Sequence, residues 1–139
     1  MSFEHRLTVR FFEVDRAGIA FFGRVFEYCH AAYEALLMDL GYPLSEVFDN
    51  EGWGMPLVHA EADFQRPMRM GEELAIQVAV GRLGKTSVTF DFTVRGAADG
   101  HVRATARHVH ACVDMTRFES LEVPERFRAA IEAREDLGA

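Results

Sequence analysis

The chain has 139 residues, enough for one domain with a substantial core and too few for a second. Hydrophobic residues make up 49% and charged residues 27%, the balance of an ordinary water-soluble globular protein. A formal charge of -7 excludes nucleic acid as a main partner, because phosphate backbones are held by basic surfaces.

Cys29 and Cys112 lack metal or redox spacing and read as reduced, structural thiols. The N-terminal residues lack the basic-then-apolar layout of a secretion signal, and no apolar run is long enough to cross a bilayer. A cytoplasmic location is expected.

Residues 6–14 alternate as a strand, with Leu7, Val9 and Phe11 on one face. The stretch Asp15-Arg16-Ala17-Gly18 then reads as a turn in which Gly18 takes a positive φ. From Val25 the period becomes helical: Val25, Phe26, Cys29, Tyr33, Leu36, Leu37 and Leu40 form one stripe, and Gly41 and Pro43 end the helix. Residues 44–54 read as a loop. Between Pro56 and Pro67 a strand sets Val58, Ala60, Ala62 and Phe64 against Leu57, His59, Glu61 and Asp63. Leu74, Ile76, Val78 and Val80 mark the next strand, which breaks at 81–85; Val88, Phe90, Phe92 and Val94 mark the one after. Asp99-Gly100 signals a hairpin. The return strand, 101–114, changes parity near 107–109, which suggests a bulge. A short helix follows Pro124, with Phe127, Ala130 and Ile131 buried.

Strand, long helix, strands in a meander and a short helix describe an α+β arrangement, an antiparallel sheet wrapped around one helix. One helix covers only part of such a sheet, so self-association is expected.

That order, with Asp15-x-x-Gly18-Ile19-x-Phe21 just ahead of the long helix, resembles the 4-hydroxybenzoyl-CoA thioesterase family. Two further blocks carry the resemblance: Pro56-Leu57-Val58-His59-Ala60-Glu61-Ala62-Asp63-Phe64-Gln65-Arg66-Pro67 followed by Met70-Gly71-Glu72-Glu73-Leu74, and Gly84-Lys85-Thr86-Ser87-Val88. Cys29-His30-Ala31-Ala32-Tyr33-Glu34 and the Pro-Leu-Val-His-Ala block resemble the 1,4-dihydroxy-2-naphthoyl-CoA hydrolase branch. The resemblance, which runs from about Thr8 to Asp114, implies a hot-dog fold for a single domain, 1–139, and hydrolysis of an aryl- or short acyl-CoA. It also implies a homodimer or homotetramer with active sites at the subunit interface.

Thioester hydrolysis needs a nucleophile or base and a group that stabilises the carbonyl oxygen as it gains charge. The resemblance gives the first role to Asp15, as nucleophile or general base; taken alone, Asp15 also fits a capping residue. It gives the second role to a backbone N–H near Phe22, where a helix N-terminus leaves N–H groups unpaired beside a positive dipole end. Phe22 contributes no side-chain proton, unlike the His or Tyr of some family members. Gly18, which turns the loop, is placed with the substrate-binding residues. His59 contacts either the polar substituent of the acyl group or a neighbouring subunit's Asp15, or is simply a satisfied interface residue. Lys85, Thr86 and Ser87 are candidates for coenzyme A phosphate and amides, or simply a solvated turn.

No cofactor is expected beyond the coenzyme A of the substrate. No metal is expected either: His59, Glu61 and Asp63 lie in a row rather than around a point, and His108 and His110 offer no better set. Two other readings compete. A hot-dog hydratase or dehydratase would pair a histidine with the carboxylate, and none stands in the Asp15 loop; a non-catalytic acyl-CoA-binding module would not need Asp15 at all.

Overall fold

A computed structural model describes residues 2–138. Its elements are β1 (Phe3–Thr8), α1 (Arg24–Asp39), α2 (Leu44–Glu51), β2 (Trp53–Gly54), β3 (Leu57–Phe64), β4 (Glu73–Leu83), β5 (Ser87–Gly96), β6 (Val102–Ala111), β7 (Val113–Asp114), β8 (Glu119–Ser120) and α3 (Glu125–Glu132). The main sheet has five antiparallel strands in the order β1-β4-β5-β6-β3, and β2, β7 and β8 form a small second sheet. This is the expected antiparallel sheet packed around one long helix.

The core follows from period-two and helical patterning. Leu74, Ile76, Val78 and Val80 on β4 and Val88, Phe90, Phe92 and Val94 on β5 are buried. They face the Val25, Cys29, Ala32, Tyr33 and Leu36 side of α1. Burial of a large apolar side chain of this kind stabilises the fold by about 1.5–3 kcal/mol. Phe127 and Ile131 of α3 close one end of the core, as their spacing predicts.

Five details depart from the sequence reading. The first strand ends at Thr8; Val9 donates to Glu72 O and the chain then makes a single 3-10 turn, Phe11–Glu13, so Phe11 is exposed rather than on a buried face. Residues 44–51 are helical, held between Pro43 at the N-cap and Gly52, whose φ of 74° ends the helix. The break expected at 81–85 falls at 84–86, where Gly84 N–H donates to Ser87 O; β4 runs on to Leu83 through a bulge at Gly81, where a Cβ would collide with the Asp91 carboxylate on β5. The parity of β6 does not change at 107–109: Ala104, Ala106, His108 and His110 all point inward, the register shift against β3 lies on β3 between Leu57 and His59, and the bulge of β6 lies instead at Arg103, the extra residue between Val102 and Ala104 opposite β5. Finally, β3 does not neighbour β4. It crosses to the far edge and pairs with β6 alone.

Candidate active site

Asp15 sits in a closed loop between β1 and α1. Asp15 N–H donates to Ile19 O (2.9 Å), Gly18 N–H donates to Asp15 O (3.0 Å), and Ala17 N–H donates to Asp15 Oδ1 (2.8 Å). The loop reverses at Gly18, whose φ of +80° lies in the left-handed region that favours glycine; a Cβ there would meet nothing within 4 Å, so backbone conformation alone requires the residue. Oδ1 is occupied by the turn. Oδ2 has no partner among the described residues.

The loop hangs on the β3–β4 connection. Ala20 N–H donates to Met68 O (2.7 Å) and Met70 N–H to Gly18 O (3.4 Å). That connection is fixed in turn by Arg103 on β6, whose backbone oxygen accepts from Gln65 and Arg66 and whose buried guanidinium clamps Glu72 (2.8 and 3.2 Å) and Asp99 (2.8 Å). The Arg103 bond, with one from the His101 N–H, holds the Asp99 carboxyl down at about 2. On the other side Tyr28 of α1 donates to Glu13 Oε1 (3.0 Å), and Glu13 O accepts from Phe21 N–H (2.9 Å). Burial, helped by Glu13, raises the Tyr28 hydroxyl well above its ordinary value. The loop is therefore positioned from both flanks.

Asp15 opens onto a cavity of about 580 Å³, walled by Ile19, Phe21, Phe22, Phe64, Pro67 and Met68. Gln65 and Arg66 complete its rim, and Arg66 is the one cation among its described lining residues. The Phe22 N–H, just before α1, has no acceptor among the described residues. A helix N-terminus carries about half a positive charge, so an oxyanion at this N–H is stabilised without a cationic side chain.

Asp15, Gly18 and Phe22 thus lie together. His59, Lys85, Thr86 and Ser87 do not join them within one chain. His59 is exposed on β3, its Nε2 3.1 Å from Glu61 Oε1. Lys85 is exposed with its ammonium 3.4 Å from Glu122, and the Lys85 and Thr86 carbonyls accept from Val123 and Cys112. Ser87 pairs with Ala111, beside Pro56, so this segment stands at the Leu57 end of β3 while Asp15 stands at the Phe64 end. Arg103 and Arg107 form no basic patch, since Arg103 is spent on Glu72 and Asp99 and Arg107 pairs with Asp91. Phe64 and Arg66 also line the cavity, and the Gln65-Arg66-Pro67 break at the strand end is the only sequence signal that marks them.

Burial pushes the thiols of Cys29 and Cys112 up to about 12 and about 11, in keeping with inert structural cysteines. No group of metal-ligating residues is found among the described residues, and no described helix is long and apolar enough to cross a membrane.

A loop carboxylate at the mouth of an apolar cavity, beside the N-terminus of a helix wrapped by an antiparallel sheet, defines a site of the hot-dog thioesterase class. The profile of the thioesterase-like superfamily matches residues 9–131, and the chain belongs to that superfamily. It is 36% identical over 127 residues to a 1,4-dihydroxy-2-naphthoyl-CoA hydrolase of Nostoc punctiforme, covering 90% of this chain and 83% of that one. It is 32% identical over 128 residues to the hydrolase of the same name from Synechococcus elongatus, covering 91% and 93%. A solved 1,4-dihydroxy-2-naphthoyl-CoA thioesterase from Synechocystis shares the fold, with a TM-score of 0.89 at 24% identity over 97% of this chain and 98% of that one. The protein is an enzyme, an acyl-CoA thioester hydrolase.

Proposed function

We propose that the protein hydrolyses an aryl- or short acyl-CoA thioester with the Asp15 carboxylate as the reacting group. An aromatic acyl group is favoured, and 1,4-dihydroxy-2-naphthoyl-CoA, named for the curated relatives, is the first substrate to test. The observation that carries the reading is the free Asp15 Oδ2 at an apolar cavity beside the unpaired Phe22 N–H. With the carbonyl oxygen on that N–H, charge developing there meets the α1 dipole. Asp15 then either attacks the carbonyl carbon, expelling the coenzyme A thiolate and leaving an anhydride that water opens, or takes a proton from the water that attacks. Each route consumes one water and yields the free acid and coenzyme A. No histidine lines the cavity among the described residues, which disfavours a hydratase.

The same reading includes a two-fold dimer through β3. That strand is an outer edge with all but Ala62 exposed, and it carries exposed Leu57, Val58 and Phe64. An open edge of this kind is a template for pairing with another chain. Antiparallel pairing of two β3 edges sets the Leu57 end of one protomer beside the Phe64 end of its partner. Lys85, Thr86 and Ser87 of one chain then approach the Asp15 cavity of the other and serve the coenzyme A moiety, with His59 in the interface. A cytoplasmic enzyme, as dimer or dimer of dimers, fits this picture.

Thiol release from a panel of aryl- and alkyl-CoAs tests the function. Turnover of an aromatic member is expected, and absence of thiol release from every member defeats the proposal.

A further inference from the structure

The peptide N–H groups leading into α1, those of Phe21, Phe22, Gly23 and Arg24, are not equivalent. Phe21 N–H donates to Glu13 O (2.9 Å) and Arg24 N–H to Phe21 O (2.8 Å). Those of Phe22 and Gly23 have no acceptor among the described residues. Which N–H is left over for a ligand is therefore fixed by Glu13, two residues ahead of Asp15. Glu13 is itself pinned through its side chain. A single carboxylate oxygen, Oε1, accepts from Arg10 N–H (2.8 Å) and from the Tyr28 hydroxyl (3.0 Å). Tyr28 lies in the second turn of α1 and is 3% exposed. Arg24 ties α1 to the same 3-10 turn a second time, through Phe12 O (3.4 Å) and the Phe12 ring, whose centroid is 5.9 Å from the guanidinium carbon.

We infer that Glu13 and Tyr28 are positioning residues for the oxyanion donor. Their bond locks the turn at 11–13 to α1, Glu13 O consumes the Phe21 N–H, and the Phe22 N–H stays free beside Asp15. The inference rests on the proposed reaction at Asp15. Neither residue lines the Asp15 cavity, so both act through the backbone at 21–22. Helix ends fray, and α1 starts without a side-chain cap because its N-cap is Gly23. The Glu13 tie supplies the restraint that a Ser or Asp cap would give. That restraint matters to chemistry: an oxyanion donor works only at about 2.7–3.1 Å from the developing charge, and a misplacement of about 1 Å can cost about 10²-fold. Burial, helped by Glu13, raises the Tyr28 hydroxyl well above its ordinary value, so it stays a donor at neutral pH. Since one oxygen takes both bonds, a neutral amide serves as well as a carboxylate.

Tyr28→Phe, Glu13→Gln and Glu13→Ala are compared with wild type in two assays. One is thiol release from an aryl-CoA with kcat and KM separated; the other is amide hydrogen exchange at Phe21 and Phe22 by NMR. Tyr28→Phe is expected to lower kcat about tenfold and Glu13→Ala about a hundredfold. KM should stay within about threefold in both, because the walls at Phe64, Pro67 and Met68 are untouched. Glu13→Gln should keep kcat within about threefold of wild type. Exchange at Phe21 should rise about tenfold or more in Tyr28→Phe and Glu13→Ala and keep the wild-type rate in Glu13→Gln. If Glu13→Ala does not fold, Tyr28→Phe, which keeps the buried ring, carries the test. A Tyr28→Phe kcat within about twofold of wild type overturns the inference. So does a Glu13→Gln that falls as far as Glu13→Ala, which would make the charge and not the bond the active feature. A lower melting temperature with kcat and exchange unchanged assigns the pair to stability alone and overturns it too. If wild type releases no thiol from any thioester while exchange at Phe21 follows the bond, the thioesterase reading is lost and the clamp that frees the Phe22 N–H stands.

Discussion

Replacing Asp15 by asparagine removes one charge and little else. The Ala17 N–H still has a side-chain oxygen to donate to at about the present 2.8 Å, and the backbone bonds closing the loop are untouched. The side chain is exposed, so no buried charge partner is orphaned. Folding stability is therefore expected to change by about 0.5 kcal/mol or less, the usual range for a surface substitution. The chemistry loses its nucleophile or base. General-base and nucleophilic groups contribute about 10²–10⁴-fold or more, so kcat is expected to fall by about 10³, which is about 4 kcal/mol of barrier. Thiol release under saturating aryl-CoA measures kcat, and a urea melt on the same preparation measures stability. A KM within a few-fold of wild type would show that the binding cavity survives. Asp15→Ala should lose as much activity and in addition about 1 kcal/mol, because the turn forfeits its Ala17 contact. A kcat within tenfold of wild type in Asp15→Asn, with unchanged stability, would refute the reasoning and place the reacting group elsewhere. Single-turnover reaction in ¹⁸O water tests for the anhydride: label entering the Asp15 carboxylate marks water opening it at the Asp15 carbon.

Three further outcomes follow from the geometry. Val58→Asp, at the bulge of the exposed edge strand, should convert a dimer to monomers by sedimentation and lower thiol release with it; a variant that stays dimeric and active argues against pairing through β3. Arg103→Met leaves Glu72 half-buried and unpaired beside the β3–β4 connection, and should cost about 2–3 kcal/mol in denaturant melts, less than a fully buried pair because Glu72 and Asp99 keep some solvent; no loss would mean the cluster is dispensable. His108 and His110 are held neutral by burial, both near 4 against an ordinary 6.5, so the unfolded chain binds protons that the folded one refuses. Stability should be complete above pH 6.5 and fall as pH drops toward 4, with a slope of up to about 2.7 kcal/mol per pH unit from the pair. Urea melts at pH 7.5, 6.0 and 5.0 that give one midpoint would contradict this.

The elements whose apolar period matched their environment were legible in sequence: α1 by its stripe from Val25 to Leu37, β4 and β5 by clean alternation, α3 by Phe127 and Ile131. Elsewhere the local pattern and the tertiary environment part. His108 and His110 look like outward residues and appeared to break the parity of β6, yet they point into the core, because a neutral imidazole packs as a flat ring between Tyr33, Phe90 and Phe92. Residues 44–51 lack a long enough run to announce a helix, and Pro43 and Gly52 bracket it only in retrospect. β3 alternates like a half-buried strand but lies at an open edge with both faces exposed, a matter of strand order that alternation does not encode.

For the site, the sequence by itself determined the Asp15 loop. Gly18 must reverse the chain, and a helix must begin within a few residues, so a carboxylate and a helix N-terminus are neighbours by covalent connection alone. Which residues wall the cavity, that Arg103 anchors it through Glu72, and that Lys85 stands at the far end of β3 from Asp15 were decided only by tertiary structure. Those are relations between segments tens of residues apart, set by strand order and register, and short-range periodicity carries no record of them.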